Sequence, residues 1–265
     1  MSGSDELDLP AYLERIGLAE APPPTAEGLA RLHLAHATTI PFENLDIQLG
    51  KPIRLDLASL QTKLVAGRRG GYCFEQNGLL LAVLRALGFE VLPLAARVRL
   101  GATQQTPRTH MCLRVTAEGR SFLCDVGFGG GGMLLPLPWE VDAIHEQFAW
   151  RYRLVQRGPL FTLQGFTDGA FQDFYTFDET PQEPVDYVLA SHYTSTYPES
   201  RFVTTLTAQR PGVELRRILR NLTYSENRAG VLTERILSGP DELLEVLARE
   251  FDLPFPEGTR FRAVP

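Results

Sequence analysis

The sequence predicts an α+β fold, in which a helical block is followed by a block of β-strands and then by a mixed block. Hydrophobic residues recur with helical spacing over the first 88 residues. After Gly88 the pattern changes to runs of β-branched and apolar residues that are separated by turn signals. Blocks of this kind favour an α+β architecture over repeated βαβ units.

Composition is typical of a soluble globular protein. The chain has 265 residues, of which 44% are hydrophobic and 22% are charged, and it contains no long apolar run that would predict a membrane span. The formal net charge of −6 and the absence of a basic run argue against nucleic acid as a partner. Residues 1–6 are polar and acidic, unlike a secretory signal, and three cysteines do not make a disulfide framework. We therefore expect a cytoplasmic protein.

Three helices are predicted in the first block. A proline run at residues 22–24 is followed by Thr25, a candidate N-cap, and Asp56 is the candidate N-cap of a second helix. A third, strongly apolar helix begins near Cys73 and ends before Gly88, a candidate C-terminal cap glycine.

The later blocks combine predicted strands, a connector and one helix. Strands are predicted at residues 89–99, 110–117, 121–126, 151–155, 160–164 and 202–208, and a helix at 241–251. Residues 184–202 are rich in Ser, Thr and Tyr and are interpreted as a connector. We accordingly divide the chain into a helical bundle (1–88), a β-barrel (89–183), the connector (184–202) and an α/β lid (203–265).

Cys73 is the candidate nucleophile. It follows Arg69 and two glycines and stands at the predicted start of an apolar helix. Free N–H groups and a partial positive charge at a helix start favour the thiolate, and a nearby arginine adds to this effect. Most free cysteines are small core residues, and that alternative stays open for Cys73.

A predicted hairpin brings a histidine and a carboxylate together. If residues 118–119 form a two-residue loop, Cys112 lies opposite Asp125 and His110 lies opposite Gly127. Side chains alternate along a strand, so His110 and Asp125 share a face as diagonal neighbours. A register slip of one residue would move Asp125 to the other face.

Cys73, His110 and Asp125 together have the composition of a thiol catalytic triad. The imidazole would take the proton of the thiol, and the carboxylate would fix the ring and stabilise its positive charge. A single histidine at a strand start is more often structural, but the combination of three is less easily explained in that way.

Two competing motifs are weaker. Gly127, Gly129 and Gly132 match the spacing of a dinucleotide-binding loop, but the proline-containing segment after them leaves no room for the helix that this motif requires. His33 and His36 have helical i, i+3 spacing, but no carboxylate or cysteine cluster accompanies them. No metal site is predicted.

Five motifs, taken in order, resemble the arylamine N-acetyltransferase family. They are PFENL at 41–45, RGGYCFE at 69–75, THM at 109–111, DVGFG at 125–129 and STYPESRF at 195–202. The resemblance covers most of the chain. It implies a helical bundle, an antiparallel β-barrel and an α/β lid, with a cysteine triad arranged as in papain-like and transglutaminase-like enzymes. The lid is expected to be compact, because the chain is short beyond Phe202.

The resemblance also implies residue roles. Cys73, His110 and Asp125 match the family's triad, and Glu43 and Arg69 match a structural ion pair behind the site. Positions that line the acceptor pocket are matched by Phe42, Phe128 and Phe202. Positions on the side from which coenzyme A approaches are matched by Thr109, Gly127 and Gly129.

The activity implied is acetyl transfer from acetyl-CoA, through an acetyl-Cys73 intermediate, to arylamines, arylhydrazines or arylhydroxylamines. No metal or redox cofactor is expected, and the protein is expected to be a monomer or weak homo-oligomer. Three alternatives stay open, of which two use the same triad and one does not need it. They are an amide synthase of the same family that acts on a carrier-bound acyl chain, a papain- or transglutaminase-like thiol hydrolase, and a binding module without catalysis.

Overall fold

Helices form the first third of the fold and recur near its end. The computed structural model describes residues 6–264. Residues 1–5 and Pro265, which fall in the first and last predicted segments, lie outside this range. The helices are α1 (Leu9–Ile16), α2 (Ala26–Thr39), α3 (Leu45–Gln48), α4 (Leu57–Leu60), α5 (Cys73–Ala86), α6 (Pro184–Thr196), α7 (Arg201–Thr204) and α8 (Pro240–Phe251), and α4 continues into a π-helical segment, Gln61–Ala66.

The predicted helix caps are present. The Thr25 side chain accepts a hydrogen bond from the Gly28 N–H at 3.1 Å, and Asp56 accepts one from the Ser59 N–H at 2.9 Å. Gly88 follows α5 with a φ of 84°, a left-handed conformation that glycine adopts without strain. The two helix starts and the one helix end that were predicted from cap residues therefore agree with the structure.

The strands form two antiparallel sheets. The short strand β1 (Phe42–Glu43) belongs to a sheet of five, which is described below. The sheet of eight has the strand order β5-β4-β3-β2-β9-β8-β7-β6 and curves into a nearly closed barrel. Its strands are β2 (Glu90–Val98), β3 (His110–Ala117), β4 (Arg120–Cys124), β5 (Leu137–Pro138), β6 (Ile144–Gln147), β7 (Trp150–Arg157), β8 (Leu160–Thr167) and β9 (Ala170–Phe177). The predicted α+β class with a central barrel is confirmed.

The β3–β4 hairpin has the predicted turn. Glu118 and Gly119 both have positive φ, at 50° and 74°, as a two-residue loop between twisted strands requires. The predicted register holds from the turn as far as Cys124. Beyond it, the expected pairing of residues 110–112 with residues 125–127 is wrong, because β4 ends at Cys124 and the chain turns away.

The second sheet combines the two ends of the chain. Its order is β1-β10-β11-β12-β13, and its later strands are β10 (Thr207–Arg210), β11 (Leu215–Arg220), β12 (Thr223–Arg228) and β13 (Val231–Ile236). β1 pairs with β10 through Phe42 opposite Gln209 and Glu43 opposite Ala208. The strand expected at 202–208 is thus displaced to β10, since α7 occupies most of its first half. We call this five-stranded sheet the lid sheet. It includes two residues of the N-terminal region.

The segment interpreted as a connector, 184–202, is mainly helical. Pro184 occupies the first helical position of α6, and the Asp186 side chain accepts a hydrogen bond from the Glu183 N–H at 2.9 Å. The hydroxyl of Tyr72, the residue directly before Cys73, lies 2.5 Å from the Ser191 hydroxyl of α6. This helix is therefore packed against the start of α5.

Two hydrophobic cores stabilise the fold. The larger joins the helices to the inner face of the barrel, and the smaller lies between α8 and the lid sheet. The smaller core contains Leu45 of α3 together with Leu247 of α8, and both are completely buried.

Among residues 6–264, no helix has both the length and the apolar character needed to cross a bilayer.

We expect Leu247→Ala to destabilise the protein by about 2–5 kcal/mol, because it removes a completely buried side chain and leaves a cavity. Denaturant unfolding followed by circular dichroism measures this change. Leu232→Ala is the matched control, since Leu232 is 57% exposed and its loss should change stability by about 0.5 kcal/mol or less. Equal stability of the two variants would contradict the assignment of a second core.

Candidate active site

Cys73 is the first residue of α5 and is almost completely buried. Its sulfur lies 3.7 Å from the carbonyl oxygen of Thr109. Glu75 fixes the helix start by accepting a hydrogen bond from the Tyr72 N–H at 3.1 Å, while its other oxygen contacts the Lys63 ammonium at 2.7 Å. The nucleophile predicted from the sequence thus occupies a rigid helix N-terminus.

His110 and Asp125 form a buried ion pair, although they are not paired in the sheet. The His110 Nε2 lies 2.7 Å from the Asp125 Oδ2, and both side chains are at most 3% exposed. Burial by itself would lower the pKa of His110, but the Asp125 charge and its hydrogen bond outweigh burial, with a further contribution from Cys73, and raise it to about 10. The imidazole is therefore protonated at neutral pH.

The Asp125 carboxylate is held by two further donors. Burial would raise its pKa, but His110, Asn77 and the Gly127 N–H together lower it below the ordinary value. Asn77 Nδ2 donates to Asp125 Oδ1 at 2.9 Å, and the Gly127 N–H donates to the same oxygen at 2.8 Å. Asp125 therefore stays ionised in the protein interior.

Asn77 is a site residue that the sequence analysis missed. It lies one helical turn after Cys73, and its amide also donates to the Met111 carbonyl at 2.8 Å and accepts from the Val126 N–H at 3.1 Å. It thus joins α5 to β3, which carries His110, and to the segment after β4, which carries Asp125. The only signal in the sequence was its i, i+4 spacing from Cys73.

His33 supports the same segment from α2. Its Nε2 accepts a hydrogen bond from the Asp125 N–H at 3.1 Å, and its Nδ1 donates to the Leu134 carbonyl at 3.0 Å. Burial lowers its pKa to about 4, so the ring is neutral and can act as this acceptor. His36 instead contacts the Tyr12 hydroxyl and the Gln76 side chain. Within residues 6–264, no three His, Cys, Asp or Glu side chains are grouped to hold a metal ion.

Aromatic rings restrict the movement of the His110 imidazole. Its ring centroid lies 4.7 Å from that of Tyr175 and 5.4 Å from that of Phe128. Phe128 in turn stacks on Phe174 at 5.1 Å. The rotation of the catalytic candidate is thus limited by packing as well as by its ion pair.

The expected ion pair between Glu43 and Arg69 is present in the structure. Arg69 Nη2 and Nε both donate to Glu43 Oε1, at 2.6 and 3.0 Å, and Arg69 Nη1 donates to Asp46 at 3.3 Å. Lys63 bridges Asp46 and Glu75, at 2.9 and 2.7 Å. This network connects β1 to the capping carboxylate beside Cys73.

A cavity of about 810 Å³ opens onto Cys73 and His110. Most of the residues expected around the substrates line it, namely Phe42, Phe128, Phe202, Thr109 and Gly127. Gly129 does not line the cavity, because it packs against Gln209; a Cβ there would lie 2.6 Å from the Gln209 Oε1. A Cβ on Gly127 would lie 2.7 Å from the Cys73 Cα, so only glycine permits the observed approach of this segment to the nucleophile.

Comparisons with known proteins identify the family. A family model described as N-acetyltransferase matches residues 25–259. The arylamine N-acetyltransferase of Mycolicibacterium smegmatis is 38% identical over 254 residues, which cover 93% of this chain and 92% of the relative. The chain belongs to the arylamine N-acetyltransferase family. It is an acetyltransferase, so the family and enzyme class expected from the sequence are confirmed.

Solved arylamine N-acetyltransferases have the same fold. The crystal structure from Nocardia farcinica superimposes with a TM-score of 0.90 at 43% identity, covering 95% of this chain and 91% of that protein. The Mycobacterium marinum enzyme in complex with CoA gives a TM-score of 0.88 at 36% identity, covering 93% of each chain.

We expect Asp125→Asn to lower the pKa of His110 from about 10 to below its ordinary value of 6.5, because burial then acts without the compensating charge. Nitrogen-15 NMR of the imidazole during a pH titration measures this change. The pair also couples folding to pH. The contribution of His110 is fully present below the ordinary value and is lost as the pH rises through about 10, whereas that of Asp125 is lost at acid pH.

The exposed Asp241→Asn provides the control, with the His110 titration expected to match that of the wild type. An imidazole that stays protonated at about pH 8 in Asp125→Asn would show that another group holds the charge.

Proposed function

We propose that Cys73, His110 and Asp125 are the catalytic triad, and that they transfer the acetyl group of acetyl-CoA to arylamines, arylhydrazines or arylhydroxylamines. The observation that carries this proposal is the position of the Cys73 sulfur beside a carboxylate-paired imidazole in an aromatic cavity. A thiolate next to an imidazolium is the nucleophile that thiol acyl transfer requires.

In the first step the Cys73 sulfur attacks the thioester carbonyl carbon. The bond from carbon to the sulfur of Cys73 forms, the bond to the coenzyme A sulfur breaks, and the proton held by His110 passes to the departing thiolate. The N–H groups of Cys73 and Phe74, at the start of α5, have no partner earlier in the helix and can stabilise the oxyanion. Such a contribution is worth about 3–4 kcal/mol in comparable enzymes.

In the second step the acceptor nitrogen attacks the acetyl carbon. His110 is neutral once coenzyme A has left with the proton, so it can act as the base that removes a proton from the nitrogen. An arylamine suits this step because its weakly basic nitrogen is unprotonated at neutral pH. Collapse of the tetrahedral intermediate releases the amide and restores the thiolate–imidazolium pair.

The acceptor pocket is proposed to consist of Phe42, Phe128 and Phe202. The rings of Phe42 and Phe202 lie 6.0 Å apart, and the Phe128 ring packs on the catalytic imidazole, so an aromatic acceptor would be surrounded by aromatic walls. Aromatic contacts of this kind contribute about 0.5–1.5 kcal/mol beyond burial of area. These walls favour an aromatic amine over an aliphatic one.

Coenzyme A is proposed to approach along Thr109 and Gly127, and the expected contribution of Gly129 is dropped because Gly129 does not line the cavity. The Thr109 carbonyl and the Gly127 backbone lie directly against Cys73, which supports a thioester path on this side. The thioester bond supplies the driving force, so the reaction needs neither a metal nor a redox cofactor. Cys73, Cys112 and Cys124 are all free thiols, in keeping with our proposal of a cytoplasmic enzyme of xenobiotic metabolism.

We expect acetyl-CoA alone to place one acetyl group on the wild-type protein and none on Cys73→Ala, because the sulfur of residue 73 is the proposed acyl carrier. Intact-protein mass spectrometry measures the adduct. Cys112→Ala is the matched control and should still be acetylated, since Cys112 is completely buried and its high pKa keeps it protonated. An equal adduct on Cys73→Ala would refute the assignment of the nucleophile.

Steady-state kinetics should give parallel double-reciprocal lines when acetyl-CoA and an arylamine such as aniline are varied together. The reason is that coenzyme A leaves before the amine reacts with the acyl-enzyme. Initial rates of coenzyme A release measure this pattern. Lines that intersect would indicate a ternary complex and would exclude the acetyl-Cys73 route.

A further inference from the structure

Two arginines that line the cavity have no counter-ion in the part of the chain that the structure describes. Arg201 precedes Phe202 on α7, and Arg220 is the last residue of β11. Among residues 6–264, neither guanidinium forms an ion pair or a side-chain hydrogen bond. Most of the other arginines around the site do have such partners; Arg69, for example, contacts Glu43 and Asp46. The two positive charges are thus available to a ligand in the cavity.

The sheet register places Arg220 near residues 127–132, which we call the glycine segment and which follow Asp125. Gln209 pairs with Ile218, and Thr207 pairs with Arg220 two residues further along the same two strands. Because side chains alternate, all four occupy one face of the sheet, and all four line the cavity. The Gly130 N–H donates to the Gln209 Oε1 at 2.7 Å. Arg220 therefore lies on the same face of the sheet as Gln209, in the next cross-strand pair of that face.

Arg201 and Arg220 line the same cavity, and the charge of Arg201 acts on the guanidinium of Arg220. Burial first, and then the charge of Arg201, lowers the pKa of Arg220, while the charge of Glu234 acts in the opposite direction with a smaller effect. Two like charges without a counter-ion are unfavourable, and an anion bound between them would remove that cost. Arginine forks match the oxygen geometry of phosphate groups in particular.

Most of the carboxylates in the cavity wall lie on the barrel sheet, whereas the two arginines lie on α7 and β11. Asp168 lies in the turn of the β8–β9 hairpin, and Asp173 lies on β9 of the barrel sheet. On the side of Arg201 and Arg220 the cavity wall carries one carboxylate, Glu199, which accepts a hydrogen bond from the Tyr197 hydroxyl at 3.1 Å, against two guanidinium groups. The barrel side of the cavity would therefore repel a phosphate, whereas the lid side would attract one.

We propose that Arg201 and Arg220 bind phosphate groups of coenzyme A at the lid side of the cavity, so that the thioester arm reaches Cys73. This inference rests on the proposed function, because it takes the acyl donor to be a coenzyme A thioester. It adds an electrostatic anchor for the nucleotide end of the donor, which the contacts at Thr109 and Gly127 do not provide.

The test compares three acetyl donors that share the thioester but differ in phosphate. Acetyl-CoA carries the pyrophosphate and the 3′-phosphate, acetyl-3′-dephospho-CoA lacks the 3′-phosphate, and S-acetylpantetheine has none. The variants are Arg201→Gln, Arg220→Gln and the double variant. Arg157→Gln is the control, because Arg157 lies in the β7–β8 hairpin away from the cavity.

We expect the double variant to lower kcat/KM for acetyl-CoA by about tenfold or more, mainly through KM, because charge-assisted hydrogen bonds are lost. Its kcat/KM with S-acetylpantetheine should stay within about twofold of the wild type. A loss that disappears with acetyl-3′-dephospho-CoA assigns the pair to the 3′-phosphate, and a loss that persists assigns it to the pyrophosphate. Equal losses with all donors, or no loss with any, would overturn the proposal.

Direct binding separates this proposal from the proposed function. Calorimetric titration with coenzyme A requires no chemistry at Cys73, and the double variant should bind at least about tenfold more weakly than the wild type and Arg157→Gln. Thermal unfolding of the variants checks that they are folded. A wild-type protein that binds coenzyme A through these arginines but is never acetylated would refute only the proposed function. Unchanged binding by the double variant would refute only the arginine pair.

Discussion

The ion pair between His110 and Asp125 is the interaction on which the arrangement of the site depends. A carboxylate in the interior is stable only when its oxygens are paired, and Asp125 has the imidazolium, the Asn77 amide and the Gly127 N–H as partners. These partners come from β3, α5 and the chain that follows β4. Satisfying one buried charge therefore fixes the relative positions of the helix and the strands that carry the chemistry.

Helix α5 contributes more than the nucleophile. Cys73 and Asn77 lie one turn apart, so the residue that holds Asp125 and the residue that would attack the thioester move as one rigid unit. Gly127 allows this helix to approach the segment after Asp125, because any side chain there would collide with the Cys73 backbone. The separation between the Cys73 backbone and the segment that carries Asp125 is thus determined by backbone packing.

The features that could be predicted from the sequence are those with local signals. The Glu118–Gly119 turn fixed the hairpin register, and the cap residues fixed the helix starts. Asn77 and His33 could not be found in this way, because they contact Asp125 from 48 and 92 residues away and only the tertiary fold brings them there. Helix α6 was not predicted because its many Ser, Thr and Tyr residues are weak helix formers, although Pro184 and Asp186 in its first turn are typical of a helix start.

The two-residue strand β1 shows how the lid and the nucleophile are linked. On one side it pairs with β10 of the lid, and on the other the Glu43 N–H donates to the carbonyl of Gly71, two residues before Cys73. Adjacent strand residues point to opposite faces, so Phe42 lines the cavity while Glu43 is directed behind it to Arg69. A displacement of the lid sheet would therefore move an aromatic wall of the cavity and the backbone before the nucleophile together.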